Sequence, residues 1–395
     1  MKKAICLLLT VFTIFSFNTT VLAANKTGNT ALTNLNTADF EVRAKSAVLM
    51  EANTGKILYS QNEDEKSSPA SVTKIMTLLL VAEAISEERI SIGDTVVISD
   101  HAASMGGSQV FLEEGERMNV EELLKCTVIA SANDAAVALA EHVGGSESIF
   151  VSMMNKRAEE LGMENTNFEN VTGLDDSTKN HVTTAEDIAI MSRELIKHDL
   201  ITKYSSLWQD SIRHGEFTLT NTNRLVRFYE GCNGLKTGST DKAGYCISAT
   251  AKRGGMQLIA VIMGSETRDI RNAEAKTLLD YGFSNFAIFE KEEAALENVD
   301  VLYGTKDVAQ LYSSPFSAVI PKSDIKKVEI CYEIPESVAA PVKAYNPVGK
   351  VTYKIGEEII GTSDIYIKEE IEKISFYDIF FRILERLFIC TANQE

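Results

Sequence analysis

The sequence predicts an α/β sandwich built on a central antiparallel sheet, followed by a small all-β domain and a C-terminal amphipathic helix. Three observations predict it. Two short apolar strands around Asn53 are followed by a long series of helical patterns. After Asn233 the apolar period shortens from that of a helix to that of a strand, and one more helical pattern closes the segment. From about Glu290 the texture changes again, to short runs alternating with period two and carrying several of the chain's prolines. Strands, then helices, then strands, then a helix is the order of a sheet with helices packed upon it.

The elements follow in order. The opening MKKAICLLLTVFTIFSFNTTVLAA places two lysines before an apolar run that ends in small residues, the layout of a secretory signal peptide cleaved after Ala23. The run is too short to span a bilayer, and an uncleaved N-terminal anchor is the alternative. Residues 24–37 are polar and read as a flexible leader. AKSAVLMEANTGKILYSQ then gives two strands around Asn53-Thr54-Gly55, a hairpin signal, and the acidic EDEK at 63–66 a solvated loop. In SSPASVTKIMTLLLVAEAI, Ser68 suits a helix cap and Pro69 a first helical position. Ile75–Ala82 is apolar on every side, as in a helix buried at a domain centre.

VEELLKCTVIA and NDAAVALAEHVGG are two further helices, the second ended by Gly144-Gly145. SIFVSMMNKRAEELGM stops at Gly162, and TAEDIAIMSRELIKH begins with Thr184 and Asp187 spaced as a capping box. GLKTGST, AGYCISATAKRGG and MQLIAVIMG read as three strands joined by tight turns, and AEAKTLLDYGFSNF as a closing helix. VEICYEI, KVTYKIGEEIIG and IYIKEEI belong to the all-β domain. In EKISFYDIFFRILERLFIC, Phe376, Phe380, Ile383, Leu384, Leu387 and Phe388 fall on one face and Asp378, Arg382, Glu385 and Arg386 on another. That pattern suits a helix lying on a membrane surface, with packing on a domain or in a dimer as the alternative. The expected division is a signal peptide at 1–23, the leader at 24–37, a sandwich domain at 38–289, a β domain at 290–367 and the terminal helix segment at 368–395.

The formal net charge is −17, and loss of Lys2 and Lys3 with the signal makes the remainder more acidic still. Such a surface excludes nucleic acid as a partner, since little would neutralise its phosphates. An anionic substrate must be held by placed lysines or arginines. Cys6 leaves with the signal, and Cys126, Cys232, Cys246, Cys331 and Cys390 are an odd, scattered set rather than a disulfide framework. Cys232 and Cys246 flank a hairpin and could pair; free thiols are the expectation. No C-x-x-C, H-E-x-x-H or EF-hand pattern occurs, so neither a metal nor a cofactor is expected.

The chemistry centres on Ser71 and Lys74. A serine hydroxyl needs a nearby base, and a lysine becomes one when burial and a neighbouring cation lower its pKa. Residues three apart share a helix face, and Ile75–Ala82 supplies the apolar surroundings a neutral amine prefers. The free N–H groups of a first helical turn also favour developing negative charge. S-x-x-K recurs at Ser239–Lys242 and Ser323–Lys326, but only Ser71–Lys74 enters a capped, buried helix. Ser131-Ala132-Asn133 lies at a junction of two helices and Lys236-Thr237-Gly238 on a strand. Both patterns have decoys, S-x-N at Ser16 and Ser60 and K-T-G at Lys26. Only one set runs helix start, inter-helix loop, sheet strand.

S-x-x-K, S-x-N and K-T-G in that order, with SPASVTKIMT, ASANDAAVALAEHVGG, GLDD, HVTTAEDIA and GLKTGSTDKAGYCISATA, resemble the low-molecular-mass penicillin-binding proteins that are serine-type D-alanyl-D-alanine carboxypeptidases. The resemblance covers Phe40–Phe286 and extends through the β domain and terminal helix. It implies a β-lactamase/transpeptidase-like fold and a substrate that is a peptidoglycan stem peptide ending in D-Ala-D-Ala, with β-lactam antibiotics as covalent ligands. It implies Ser71 as nucleophile, Lys74 as base, Ser131 as proton relay and Asn133 as orienting group. Lys236 would hold the terminal carboxylate and help keep Lys74 neutral. Thr237, Gly238 and Ser239 would line the substrate strand, with the backbone N–H groups of Ser71 and Ser239 as the oxyanion hole. The signal-peptide layout and the terminal amphipathic helix lead to the expectation of export, with the chain peripheral to the outer face of the cytoplasmic membrane or secreted to the cell wall. The middle motif departs from S-D-N, and Glu169 lacks the E-x-x-L-N surroundings of a class A β-lactamase, so Glu169 reads as a loop residue. A β-lactamase and a non-catalytic wall-binding protein are the competing readings.

Overall fold

The computed structural model describes residues 40–175, 178–381 and 383–384. The segments read as signal peptide and leader, and residues 385–395, lie outside them.

Five antiparallel strands form the main sheet, in the order Ile57–Gln61, Ser46–Glu51, Met256–Ser265, Gly244–Arg253, Cys232–Thr240. The first two form the expected hairpin, turned by Gly55 at φ +74°. The last three are the strands read after Asn233, and sheet order leaves Cys232–Thr240 at an edge. The sheet is covered on both faces, which is why its strands read as unbroken apolar runs rather than alternating ones. Helix Arg268–Asn285 packs on one face, where a Cβ on Gly282 would come within 2.5 Å of Leu258. Helix Ala185–Leu195 packs on the same strands from the other side, where the hydroxyls of Ser192 and Ser248 meet at 2.8 Å.

Between the hairpin and the other three strands the chain folds into a largely helical layer. Lys74–Ser86 runs through its middle, and Lys74 to Ala82 are all buried. This helix has no polar face because Asn133–Gly144, Glu147–Glu160, Ala185–Leu195 and Asp199–Ser205 surround it. Gly145 ends Asn133–Gly144 in the left-handed conformation at φ +78°, as its sequence signalled.

Two local expectations are corrected. Ser68 does not cap the serine helix: its hydroxyl donates to Asp175 at 2.8 Å, and the chain enters through a 3-10 turn, Ala70–Thr73, before the α-helix starts at Lys74. A cap needs the side-chain oxygen to accept from an N–H of its own first turn, and here Pro69 rather than Ser68 stands at the cap position, with no side-chain cap bond. Thr184 caps its helix by accepting from the Asp187 N–H at 3.1 Å, but Asp187 does not return the bond. Its carboxylate accepts from Thr166 and Asn165 instead.

After Asn285 the chain forms two further sheets. Phe286–Lys291 pairs with Phe316–Pro321. Six strands follow in the order Val328–Glu333, Pro347–Ile355, Glu358–Ile367, Val308–Ser313, Ala294–Leu302, Ser337–Ala339, antiparallel except for the last pair. They enclose a separate apolar core containing Leu311, Val351, Ile365 and Ile367. The Lys56 ammonium donates to the Val319 carbonyl at 3.0 Å and Lys322 to the Phe283 carbonyl at 2.6 Å, joining the two parts. A final helix starts at Phe376, capped reciprocally by Ser375 and Asp378. Among the described residues no helix is long and apolar enough to cross a membrane. Cys126, Cys232, Cys246 and Cys331 are free. Cys232 pairs across the hairpin with Ala251 and Cys246 with Gly238, so the two thiols sit at opposite ends of one ladder.

Candidate active site

Ser71 sits on the 3-10 turn ahead of the buried helix. Ala70 before it holds the left-handed φ of +48°, a strained conformation for a residue with a side chain and one that concentrates at functional sites. The turn faces the edge strand. A Cβ placed on Gly238 would lie 2.8 Å from the Ser71 amide nitrogen and 3.0 Å from the Pro69 carbonyl oxygen. Glycine at 238 is therefore a requirement of space.

Lys74 is fully buried and its amine has three neighbours: Ser71 Oγ at 3.0 Å, Asn133 Oδ1 at 2.6 Å and the Thr172 carbonyl at 2.9 Å. Burial holds this amine well below the usual lysine range; the Lys236 ammonium pushes the same way and Asp134 opposes it. A neutral amine has two hydrogens and one lone pair. Asn133 Oδ1 and Thr172 O can only accept, so they take the two hydrogens and leave the lone pair to Ser71. The Asn133 amide is oriented by its other end, where Nδ2 donates to the Gly106 carbonyl at 2.6 Å.

Ser131 closes a π turn, Cys126–Ala130, in the left-handed conformation at φ 64°. π turns of this kind are frequent at functional sites. Ser131 accepts a hydrogen bond from Lys236 at 2.7 Å, and Lys236 also donates to the Thr237 carbonyl at 2.9 Å. Lys236 is 1% exposed, and burial first, then the Arg271 guanidinium, brings its pKa down to about 7. The Thr237 hydroxyl donates to Thr222 at 2.8 Å, tying the loop before Leu225 to the edge strand.

Ser71, Ser131, Thr237, Gly238 and Ser239 line one cleft of about 430 Å³ together with Trp208, Thr222, Arg224, Arg268 and Arg271. Among the described residues no aspartate or glutamate lines it, on a chain of net charge −17. Arg271 is buried, hydrogen-bonds the Cys246 carbonyl and Asn272, and has no carboxylate partner among the described residues. Burial and Arg268 lower it to about 10. The cleft is thus a small electropositive hollow that joins a serine hydroxyl and a buried amine to placed cations, the equipment for acyl transfer from a substrate ending in an anion.

The structure brings all eight residues singled out from the sequence to this region. Ser323–Lys326 falls on a 3-10 turn of the β sheets, and Ser239–Lys242 on the end of the edge strand. The decoys at Ser16 and Lys26 lie outside the described residues. Glu169 is exposed and accepts from the Lys179 and Asn180 backbone N–H groups, a loop role. Sequence reasoning missed Thr172, Thr222 and Arg271. Asn221-x-Asn223, whose side chains brace the loop around Thr222 by bonds to the Leu207 and Gly234 carbonyls, was the available signal for one of them. Arg271 carries none beyond its place in a helix.

Comparison with known proteins agrees with this geometry. Residues 32–267 match the D-alanyl-D-alanine carboxypeptidase family of peptidases S11, and residues 283–373 match the penicillin-binding protein 5 C-terminal domain. The chain is 43% identical over 347 residues to the D-alanyl-D-alanine carboxypeptidase DacF of Bacillus subtilis, covering 86% of this chain and 89% of that one. It is 34% identical to DacC of Escherichia coli, covering 85% and 86%. Penicillin binding protein 5 from Haemophilus influenzae superposes with a TM-score of 0.76 at 33% identity, over 85% of this chain and 99% of that one. Penicillin-binding protein D2 from Listeria monocytogenes, solved in its ampicillin-bound form, superposes with a TM-score of 0.56 at 32% identity, over 61% and 97%. The chain belongs to the D-alanyl-D-alanine carboxypeptidase family, a family of serine peptidases.

Proposed function

We propose that the enzyme removes the terminal D-alanine from peptidoglycan stem peptides through an acyl-enzyme on Ser71, and that β-lactams acylate the same oxygen. The observation that carries the reading is the Lys74 amine, buried, flanked by two pure acceptors and left with its lone pair toward Ser71 Oγ. The substrate adds to the edge strand Cys232–Thr240, which has a free side for an extended peptide. Its terminal carboxylate meets the cationic wall, Lys236 through the Ser131–Thr237 side and Arg271 as the buried guanidinium awaiting an anion.

In the forward step the Ser71 proton passes to Lys74 Nζ as Oγ attacks the carbonyl carbon of the penultimate residue. The developing oxyanion accepts from the Ser71 and Ser239 N–H groups, and Gly238 keeps that space clear. As the C–N bond breaks, the leaving amine takes a proton from Lys74 by way of Ser131. Ser131 can give its own proton because Lys236 occupies its acceptor side. Water then attacks the ester with Lys74 again as base, and Ser71 leaves with its proton restored.

The chain acts outside the cytoplasm, with residues 1–23 as the export signal and the terminal helix resting on the outer face of the membrane. Phe376, Ile379, Phe380, Phe381 and Ile383 are all exposed, which supports an apolar surface as the partner of that helix. The β domain, 290–367, then spaces the 38–289 domain from the bilayer.

Release of D-alanine from a pentapeptide ending in D-Ala-D-Ala tests the reading. Wild type releases it, and Ser71→Ala falls to the uncatalysed level while keeping its thermal unfolding midpoint. Release by Ser71→Ala at the wild-type rate contradicts the assignment.

A further inference from the structure

The described residues of the segment 168–183 have little regular secondary structure, yet they follow the nucleophile-bearing segment closely. Ser67 and Thr183 exchange backbone hydrogen bonds at 2.9 and 3.0 Å. The Ser68 hydroxyl donates to Asp175. Gly173 packs so closely that a Cβ there would lie 1.8 Å from the Ala70 carbonyl oxygen, and it holds φ +81° besides. Thr73 Oγ1 lies 2.7 Å from His181 Nε2. Lys74 donates to the Thr172 carbonyl and the Thr77 hydroxyl to the Val171 carbonyl, the latter at 2.7 Å. Six positions of the serine segment are held by six positions of this strap.

His181 is the buried titratable group among them that the reaction does not use. Its Nδ1 accepts from the Glu169 backbone N–H at 2.9 Å and so carries no hydrogen. The neutral ring therefore has its hydrogen on Nε2, and Nε2 donates to Thr73 Oγ1. The ring is 1% exposed and edge-on to Phe168, with centroids 5.8 Å apart. Burial pushes its pKa down to about 4; Lys242 acts the same way, and Glu169 and Asp175 oppose. One tautomer, uncharged, joins the strap to Thr73, the residue before Lys74.

We infer that His181 is a positioning residue for acylation: it pins the strap to the serine turn and thereby holds the Thr172 carbonyl where it takes one hydrogen of the Lys74 amine. This rests on Lys74 as the base. Without that carbonyl only Asn133 orients the amine, and its lone pair is free to turn from Ser71. The loss falls on the chemical step rather than on binding, because neither the imidazole nor Thr73 lines the cleft.

Full-length His181→Asn, Thr73→Val and the double variant test this. The measurements are the second-order rate of acylation by benzylpenicillin, kcat and KM for a D-Ala-D-Ala peptide, and the unfolding midpoint. Each single variant is expected to slow acylation and lower kcat at least about tenfold while KM stays within about twofold. The double variant is no slower than the worse single one, since both cut the same bond. Wild-type acylation by His181→Asn, a loss confined to KM, or losses that multiply in the double variant overturn the proposal. Should His181→Asn fail to fold, Thr73→Val decides, and wild-type kinetics there overturn it equally. Failure of the underlying reading is distinguishable, since the wild-type adduct would then map to a residue other than Ser71.

Discussion

Lys74 and Lys236 divide one problem between them. A buried amine is costly to charge, and the second cation across the cleft makes it costlier, so the first stays a base while the second remains available to an anion. The acid limb of kcat/KM therefore reports Lys74 losing its proton, and activity rises with pH through it. Lys236→Gln removes a charge that lowers the Lys74 pKa, so the acid limb of the residual activity should move to higher pH; an unmoved limb contradicts the coupling. Gly238→Ala tests the space before the Ser71 amide. The added methyl enters at 2.8 Å from that nitrogen, and acylation should fall about 100-fold or more with the fold retained. His181 makes a separate prediction about stability. Its folded pKa of about 4 lies below the ordinary imidazole value of 6.5, so the folded state resists protonation. Its contribution is full above 6.5 and is lost as pH falls toward about 4, on the order of 3 kcal/mol in all. Thermal unfolding midpoints of His181→Asn should lose that part of the acid dependence, and an identical pH profile would rule it out.

The serine helix shows how an element is chosen by what surrounds it. Ile75–Ala82 is apolar on all faces because four helices cover it, and Leu79→Ala should cost about 2–5 kcal/mol by denaturant unfolding. A cost below about 1 kcal/mol would mean the helix is not the centre of the layer. This burial was legible, since a helical run that is apolar on every face, with Thr77 as its one polar residue, must be covered all round. So were the hairpin, the three later strands and the order of the three motifs, because each follows from a local period or a glycine-marked turn. The entry of the serine helix was not. Ser68 has two partners open to it, its own first turn and Asp175, and only the folded path of the strap decides between them. Thr172 was illegible for a related reason: it acts through its carbonyl, which every residue possesses.

At the scale of the whole molecule, an acidic chain lines one hollow with three arginines and, among the described residues, no acidic side chain. Repulsion in bulk and attraction at one place make specificity for a carboxylate-terminated peptide a property of the charge distribution, not of any single residue. The β domain and the exposed aromatic helix bear on where the enzyme works. Removing residues 375–395 should abolish sedimentation with anionic lipid vesicles while leaving kcat/KM for a soluble peptide unchanged; equal sedimentation of the truncated chain contradicts the membrane role. The central claim is a serine activated by an uncharged lysine. Its most direct test is peptide mapping by mass spectrometry after benzylpenicillin treatment, on wild type and Lys74→Ala side by side. The account predicts a single adduct on Ser71 that forms about 100-fold or more slowly in the variant. An adduct on another residue, or one forming equally fast without Lys74, would contradict it.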